Sequence, residues 1–235
     1  MNIYNINKMP KRYKSILSEV EKHNKIVFDL DGILGDITKN ALTKKFFSSL
    51  QNYFFSSSKD NLHNVFDLTK IGLSSLEYFL GEDDYKLVEK FYDMDGTKYL
   101  KNLDLSKFFF LYAENFLKYL KRNHKVKIVS IIPDNGSLEN YFRKMGVEFI
   151  SNKISSKPLI NNRNKKKFIN DEKTIFISGP ENGEYTIDHI IVANTFPRLP
   201  MKLRKFIRNN EKCKIISKKD WVDMLKYFKN YKDFL

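Results

Sequence analysis

Five short apolar runs constrain this chain most: KIVFDL at 25–30, VKIVSII at 126–132, VEFI at 147–150, TIFIS at 174–178 and HIIVAN at 189–194. Several are too short for helices and are apolar at consecutive positions, so both faces of each strand must be covered. Between them lie segments of helical spacing. Residues 10–23 place Ile16, Leu17 and Val20 on one side after Pro10. Residues 108–122 do the same with Phe109, Tyr112, Phe116 and Leu120, LENYFRKMG (138–146) is closed by Gly146, and DWVDMLKYF (220–228) ends the chain as a helix. Strands alternating with helices predict an α/β fold built on a parallel sheet with right-handed crossovers.

The interval between the first two strands is too long for a simple crossover. It holds ALTKKFFSSLQNYFF and LSSLEYFLGEDDYKLVEKFY, both helical and aromatic. The expected organisation is an N-terminal helical extension over 1–24, a core domain from 25–36 and 105–235, and a small helical cap inserted at 37–104.

The 235 residues suffice for one sizeable domain with an insertion, and 42% hydrophobic content supports a core. No apolar run reaches the roughly 18 residues of a membrane span, and the N-terminus lacks a signal-peptide pattern. The lone Cys213 excludes an internal disulfide and fits a reducing, intracellular setting. The formal charge is +14. Alanine occurs only at 41, 113 and 193 while Lys and Asn abound, so the charge fits AT-rich coding as well as selection for anionic partners. Either origin gives a field that attracts phosphorylated ligands, nucleic acid among them.

The first strand runs directly into acids: IVFDLDGILGD, residues 26–36. In open α/β sheets ligands sit at the carboxyl ends of the strands. Asp29 and Asp31, two residues apart on a turn eased by Gly32, face one ligand there. One carboxylate can attack while the other handles a proton, and together they offer oxygen ligands to Mg2+. Histidines 23, 63, 124 and 189 form no zinc spacing, and no GxxxxGK[ST] is present. Cys213 has no neighbouring Cys or His motif, and His189, opening a strand, reads as structural.

DLDGILGD resembles the first motif of the haloacid dehalogenase (HAD) superfamily, whose phosphatases carry DxDG, an apolar pair and often a further Asp. The resemblance implies a HAD-like Rossmannoid sheet and names Asp29 as the nucleophile that becomes an aspartyl-phosphate. Asp31 becomes the general acid and then the base, with Mg2+ bridging the Asp29 carboxylate, the Asp31 carbonyl and the substrate phosphate and Asp36 in support. By the same resemblance Ser130, closing VKIVS, binds a phosphoryl oxygen, and Lys157 in SSKPL neutralises charge, with Lys153 and Lys165–Lys167 as competitors. The fourth motif departs from the pattern. IFISGPENGEY places Ser178, Gly179 and Pro180 where a metal-binding Asp is expected, leaving Glu181 and Glu184 as the nearest acids and Asp134 and Asp188 as weaker substitutes.

Within the superfamily DLDGILGD is closest to the DLDGVLAD form of the deoxyribonucleotidases. LGEDDYKLVEKFYDMDGTKYLKNLDL is similar to that family's cap-return segment, and HIIVANTFPR and KIISKKDWVDML to its closing segments. The implied activity is removal of phosphate from (deoxy)nucleoside 5′-monophosphates by a cytoplasmic, Mg2+-dependent hydrolase. Phe46, Phe47, Tyr53, Phe54 and Phe55 are candidates for a base pocket, or simply cap core. Two alternatives remain open: a fold that kept nucleotide or protein binding after losing metal chemistry, and a nucleic-acid 3′-phosphatase using the same acids.

Overall fold

The computed structural model describes residues 6–37, 105–130, 134, 136–151, 173–179, 187–193 and 209–231. Six strands, β1 (Lys25–Phe28), β2 (Lys125–Val129), β3 (Glu148–Ile150), β4 (Thr174–Ser178), β5 (Asp188–Ala193) and β6 (Cys213–Ser217), form one sheet. Its order is β3-β2-β1-β4-β5-β6 and every pairing is parallel. β1 is central, with Phe28 opposite Ile128 on one side and Ile177 on the other.

Both faces are apolar, as a parallel sheet requires. On one face Ile26, Phe28, Ile128, Ile175, Ile177, Ile190 and Val192 pack into the main core. Four helices supply the rest of it: α1 (Lys11–Glu21), α2 (Ala113–Lys121), α3 (Ser137–Lys144) and α4 (Lys218–Leu225). Each commits a buried stripe: Tyr13, Leu17 and Val20; Phe116, Leu117 and Leu120; Leu138 and Phe142; Trp221, Met224 and Leu225. Trp221 is central, in ring contact with Phe28 and with Phe116. The other face holds Val27, Val129 and Phe176 in one buried cluster and Ile191, Ala193 and Cys213 in another. No described helix is long and apolar enough to cross a membrane.

Three expectations need correction. The first two strands end sooner than their apolar runs, at Phe28 and Val129; after the first, the chain turns at Leu30–Gly35. Helix 108–122 begins only at Ala113. Before it lie a 3-10 turn (Leu105–Phe108), a bridge from Phe109 to Gly35, and Tyr112 at φ 69°. The aromatic residues that mimic helical spacing pack on the core from outside a helix, Phe109 onto Tyr141 and Phe142. Finally, Cys213–Ser217 is a sixth strand at the sheet edge, only partly apolar and half-buried along much of its length. The proposed cap lies outside the described residues, apart from Ile37.

Candidate active site at the end of the central strand

β1 stops where its neighbours continue the ladder by one bond: the Asp29 N–H donates to Ile177 O at 2.8 Å. The next residues close into a tight turn. Leu34 N–H donates to Leu30 O (3.0 Å), Gly32 N–H to Gly35 O (2.7 Å), and Asp31 bridges Gly35. Gly32 adopts φ +77°, a left-handed value that suits glycine. The turn is stapled from outside by the Phe110 N–H, which donates to Leu34 O at 2.8 Å. The side chains of Ile33, Leu34 and Ile37 are buried, which anchors the turn on the core.

Asp29 is 8% exposed, and its Oδ1 accepts the Leu30 N–H at 2.8 Å. Asp31 is half-buried, and its Oδ1 accepts the Ile37 N–H at 2.7 Å where the next helix begins. Each carboxyl is thus oriented by a backbone donor. Ser130 is fully buried just past β2, its N–H donating to Ile150 O at 2.9 Å. Since Phe28 faces Ile128, Asp29 and Ser130 lie one and two residues beyond a matched pair on adjacent strands. At about 3.3 Å per residue and 4.8 Å between strands, their backbones are neighbours. Asp29, Asp31, Gly32 and Ser130 therefore share one end of the sheet.

The strand order places this end in a particular spot. Connections from β1 run toward β2 and β3, those from β4 toward β5 and β6. The sheet is doubly wound. Its switch point lies between β1 and β4, the position at which open α/β sheets take their ligands. Asp29 stands at that switch point.

Three further acids, Asp36, Asp134 and Asp188, have partners of their own. Asp36 pairs with Lys218, each about one-fifth exposed. Asp134, offered above as a substitute metal ligand, caps α3 instead: its two oxygens accept the N–H groups of Leu138 (3.1 Å) and Glu139 (2.9 Å). Asp188, the other substitute, begins β5 at the opposite end of the sheet and binds His23 Nε2 at 2.7 Å. Its register with Ile175 puts it about three residues' rise from the level of Asp29, roughly 10 Å away along the strands.

At the fourth-motif position Ser178 is fully buried. Its Oγ donates to Gly179 O (2.8 Å) and contacts His189 Nε2 (2.9 Å), while the His189 ring stacks on Phe176. Among the described residues no group of three or more His, Cys, Asp or Glu could hold a metal ion. Asp29 and Asp31 nevertheless form an oxygen-only donor pair, which suits Mg2+, a cation that takes one or two carboxylates and keeps several waters. Lys153, Lys157, Lys165–Lys167, Glu181, Glu184, Phe46, Phe47, Tyr53, Phe54 and Phe55 lie outside the described residues.

Two contributors escaped sequence reading: Lys218, paired with Asp36, and Trp221, whose Nε1–H donates to Ile33 O at 2.8 Å. The signal for them was the helix start. Ser217-x-x-Asp220 has the form of a capping box, and Ser217 Oγ accepts the Asp220 N–H at 3.0 Å. That start puts Lys218 in the first turn of α4, two residues before the helix inferred from apolar spacing.

No protein-family model matches the chain, and no curated protein matches it. Among solved structures, one similar chain is a Bacteroides fragilis protein described as a haloacid dehalogenase-like hydrolase, at 14% identity and a TM-score of 0.42, covering 83% of this chain and 98% of that one. Another is a Bacteroides vulgatus protein described as a beta-phosphoglucomutase, at 12% identity and a TM-score of 0.40, covering 93% and 96%. At such scores neither likeness carries an inference about chemistry; the fold rests on the sheet itself.

Proposed function

We propose that the chain is a phosphomonoesterase of the haloacid dehalogenase type, acting on (deoxy)nucleoside 5′-monophosphates through an aspartyl-phosphate on Asp29. One observation carries this reading: an acid pair, each member fixed by a backbone N–H, stands at the strand end beside the switch point of the sheet.

In this reading a carboxylate oxygen of Asp29 attacks phosphorus and the ester P–O bond breaks. Asp31 gives its proton to the leaving oxygen. Asp31 then takes a proton from water as that water attacks the phosphoryl phosphorus, releasing phosphate and restoring Asp29. The Ser130 hydroxyl donates to a phosphoryl oxygen. The turn at Gly32 brings backbone close to the same group, and Lys157 offsets its charge. The Asp29 carboxylate and the Asp31 backbone carbonyl would hold Mg2+, with Glu181 or Glu184 completing the set, which leaves the Asp31 carboxyl for the proton. When bound, the cation supplies charge stabilisation to the phosphoryl oxygens. The positive charge of the chain draws such substrates in.

A second reading, a nucleotide binder without turnover, is favoured by Ser178. The fourth-motif position is spent on a buried contact with His189 rather than on an acid.

Phosphate release from a panel of nucleoside monophosphates, a 3′-phosphorylated oligonucleotide and p-nitrophenyl phosphate separates the readings. The phosphatase reading expects Mg2+-dependent release, suppressed by EDTA and lowered at least about a thousandfold in Asp29→Asn. Equal slow release by wild type and Asp29→Asn would overturn it. Nucleotide binding without release would establish the second reading.

A further inference from the structure

The turn that carries Asp31 is gripped by a helix far along the chain, 182 residues on from Asp36 to Lys218 and 188 from Ile33 to Trp221. Lys218 in the first turn of α4 pairs with Asp36, and one helical turn on, Trp221 Nε1–H donates to Ile33 O at 2.8 Å. Positions three apart lie on one helix face, so α4 holds the turn at residues 33 and 36 together. Between Asp36 and Asp31 runs a short relay: Asp36 precedes Ile37, whose N–H is the donor to Asp31 Oδ1 at 2.7 Å. Lys218 is restrained on its own side, its ammonium 5.5 Å from the Phe110 ring centroid and its side chain 19% exposed. Phe110 is itself bonded to the turn through Leu34 O. A partly buried, doubly restrained pair holds its geometry better than a solvated surface pair.

We propose that Lys218 is a positioning residue: its ion pair with Asp36 keeps the Ile37 N–H on Asp31 Oδ1 and so aims the carboxyl that handles the proton. The inference rests on the phosphomonoesterase reading for its kinetic consequence, but not for its structural one.

The test uses the full chain and four variants. Lys218→Met keeps the apolar stem beside Phe110 and removes the charge. Asp36→Asn removes the other partner, Lys218→Met/Asp36→Asn removes both, and Lys218→Arg restores a cation. Lys219→Met, an exposed neighbour, is the control for net charge. With p-nitrophenyl phosphate and Mg2+, either single loss lowers kcat roughly 10- to 100-fold while KM stays within about twofold. The double variant is no slower than the slower single, Lys218→Arg recovers most of the rate, and Lys219→Met matches wild type.

Amide hydrogen exchange supplies the second readout. Exchange at Ile37 accelerates in the slowed variants while Ile26, within β1, stays protected. Unchanged kcat, multiplicative losses in the double variant, or Ile37 exchange equal to wild type would each overturn the proposal. If the wild type releases no phosphate from any substrate, the phosphomonoesterase reading fails by itself, and Ile37 exchange in Lys218→Met alone decides this inference.

Discussion

Two glycines of the first turn are needed for different reasons. Gly32 has open space where a Cβ would go but sits at φ +77°, so Gly32→Ala costs backbone strain of about 1–2 kcal/mol. Gly35 lacks space: a Cβ there would come within 2.4 Å of Phe108 O and 2.8 Å of Phe109 Cα, both backbone. Gly35→Ala must therefore push the 108–110 segment away, and urea titration should show a loss of about 1–3 kcal/mol. Cys213 gives a prediction of opposite character. Burial pushes its thiol up to about 11, and the thiolate is the reactive form. An aromatic disulfide reagent at pH 8 should leave Cys213 unmodified in the native protein and titrate one thiol after unfolding. Rapid native modification would contradict the buried placement. Of the candidate site residues, the placement of Asp29, Asp31, Gly32 and Ser130 at one end of the sheet was legible, because each follows closely on an apolar strand. Lys218 was not, because a lysine in a lysine-rich tail is identified only by the acid it meets in space.

At the scale of elements, α1 joins the core through more than its apolar stripe. Glu19 binds Lys214 of β6 at 2.6 Å and Lys22 at 2.9 Å. The hydrogen bond from Lys214, then that from Lys22, holds the Glu19 carboxyl below its ordinary value. A carboxyl lowered in the folded state adds stability above its unfolded pKa and loses it as pH falls through the folded value. Thermal midpoints should therefore drop on acidification below about pH 4.5, and Lys214→Met should drop less than wild type over that range. A parallel fall in both would remove Glu19 from the account. The helices and inner strands were readable from apolar spacing, since burial on one or both faces writes itself into adjacent residues. Two elements were not. Phe109 and Tyr112 keep helical spacing with Phe116, yet the chain before Ala113 is held by Gly35 and Leu34, contacts some 75 residues away. The edge strand Cys213–Ser217 buries too little on either side to announce itself.

For the whole molecule, alternation of strands and helices made a parallel sheet legible, but not its order. Whether β4 lies beside β1 is decided by pairings between residues about 150 apart, such as Lys25 with Thr174, and no local pattern records them. That order matters for function, because it makes the end of β1, where Asp29 stands, the switch point of the sheet. The account predicts that Asp29 itself carries the phosphoryl group. The most direct measurement is an acid quench during turnover of p-nitrophenyl phosphate with Mg2+, followed by peptide mass spectrometry. The predicted result is one phosphoryl group on the peptide containing Asp29, labile to hydroxylamine and absent from Asp29→Asn. Continued turnover in Asp29→Asn, or a working enzyme whose Asp29 peptide never gains a phosphoryl group, would contradict it.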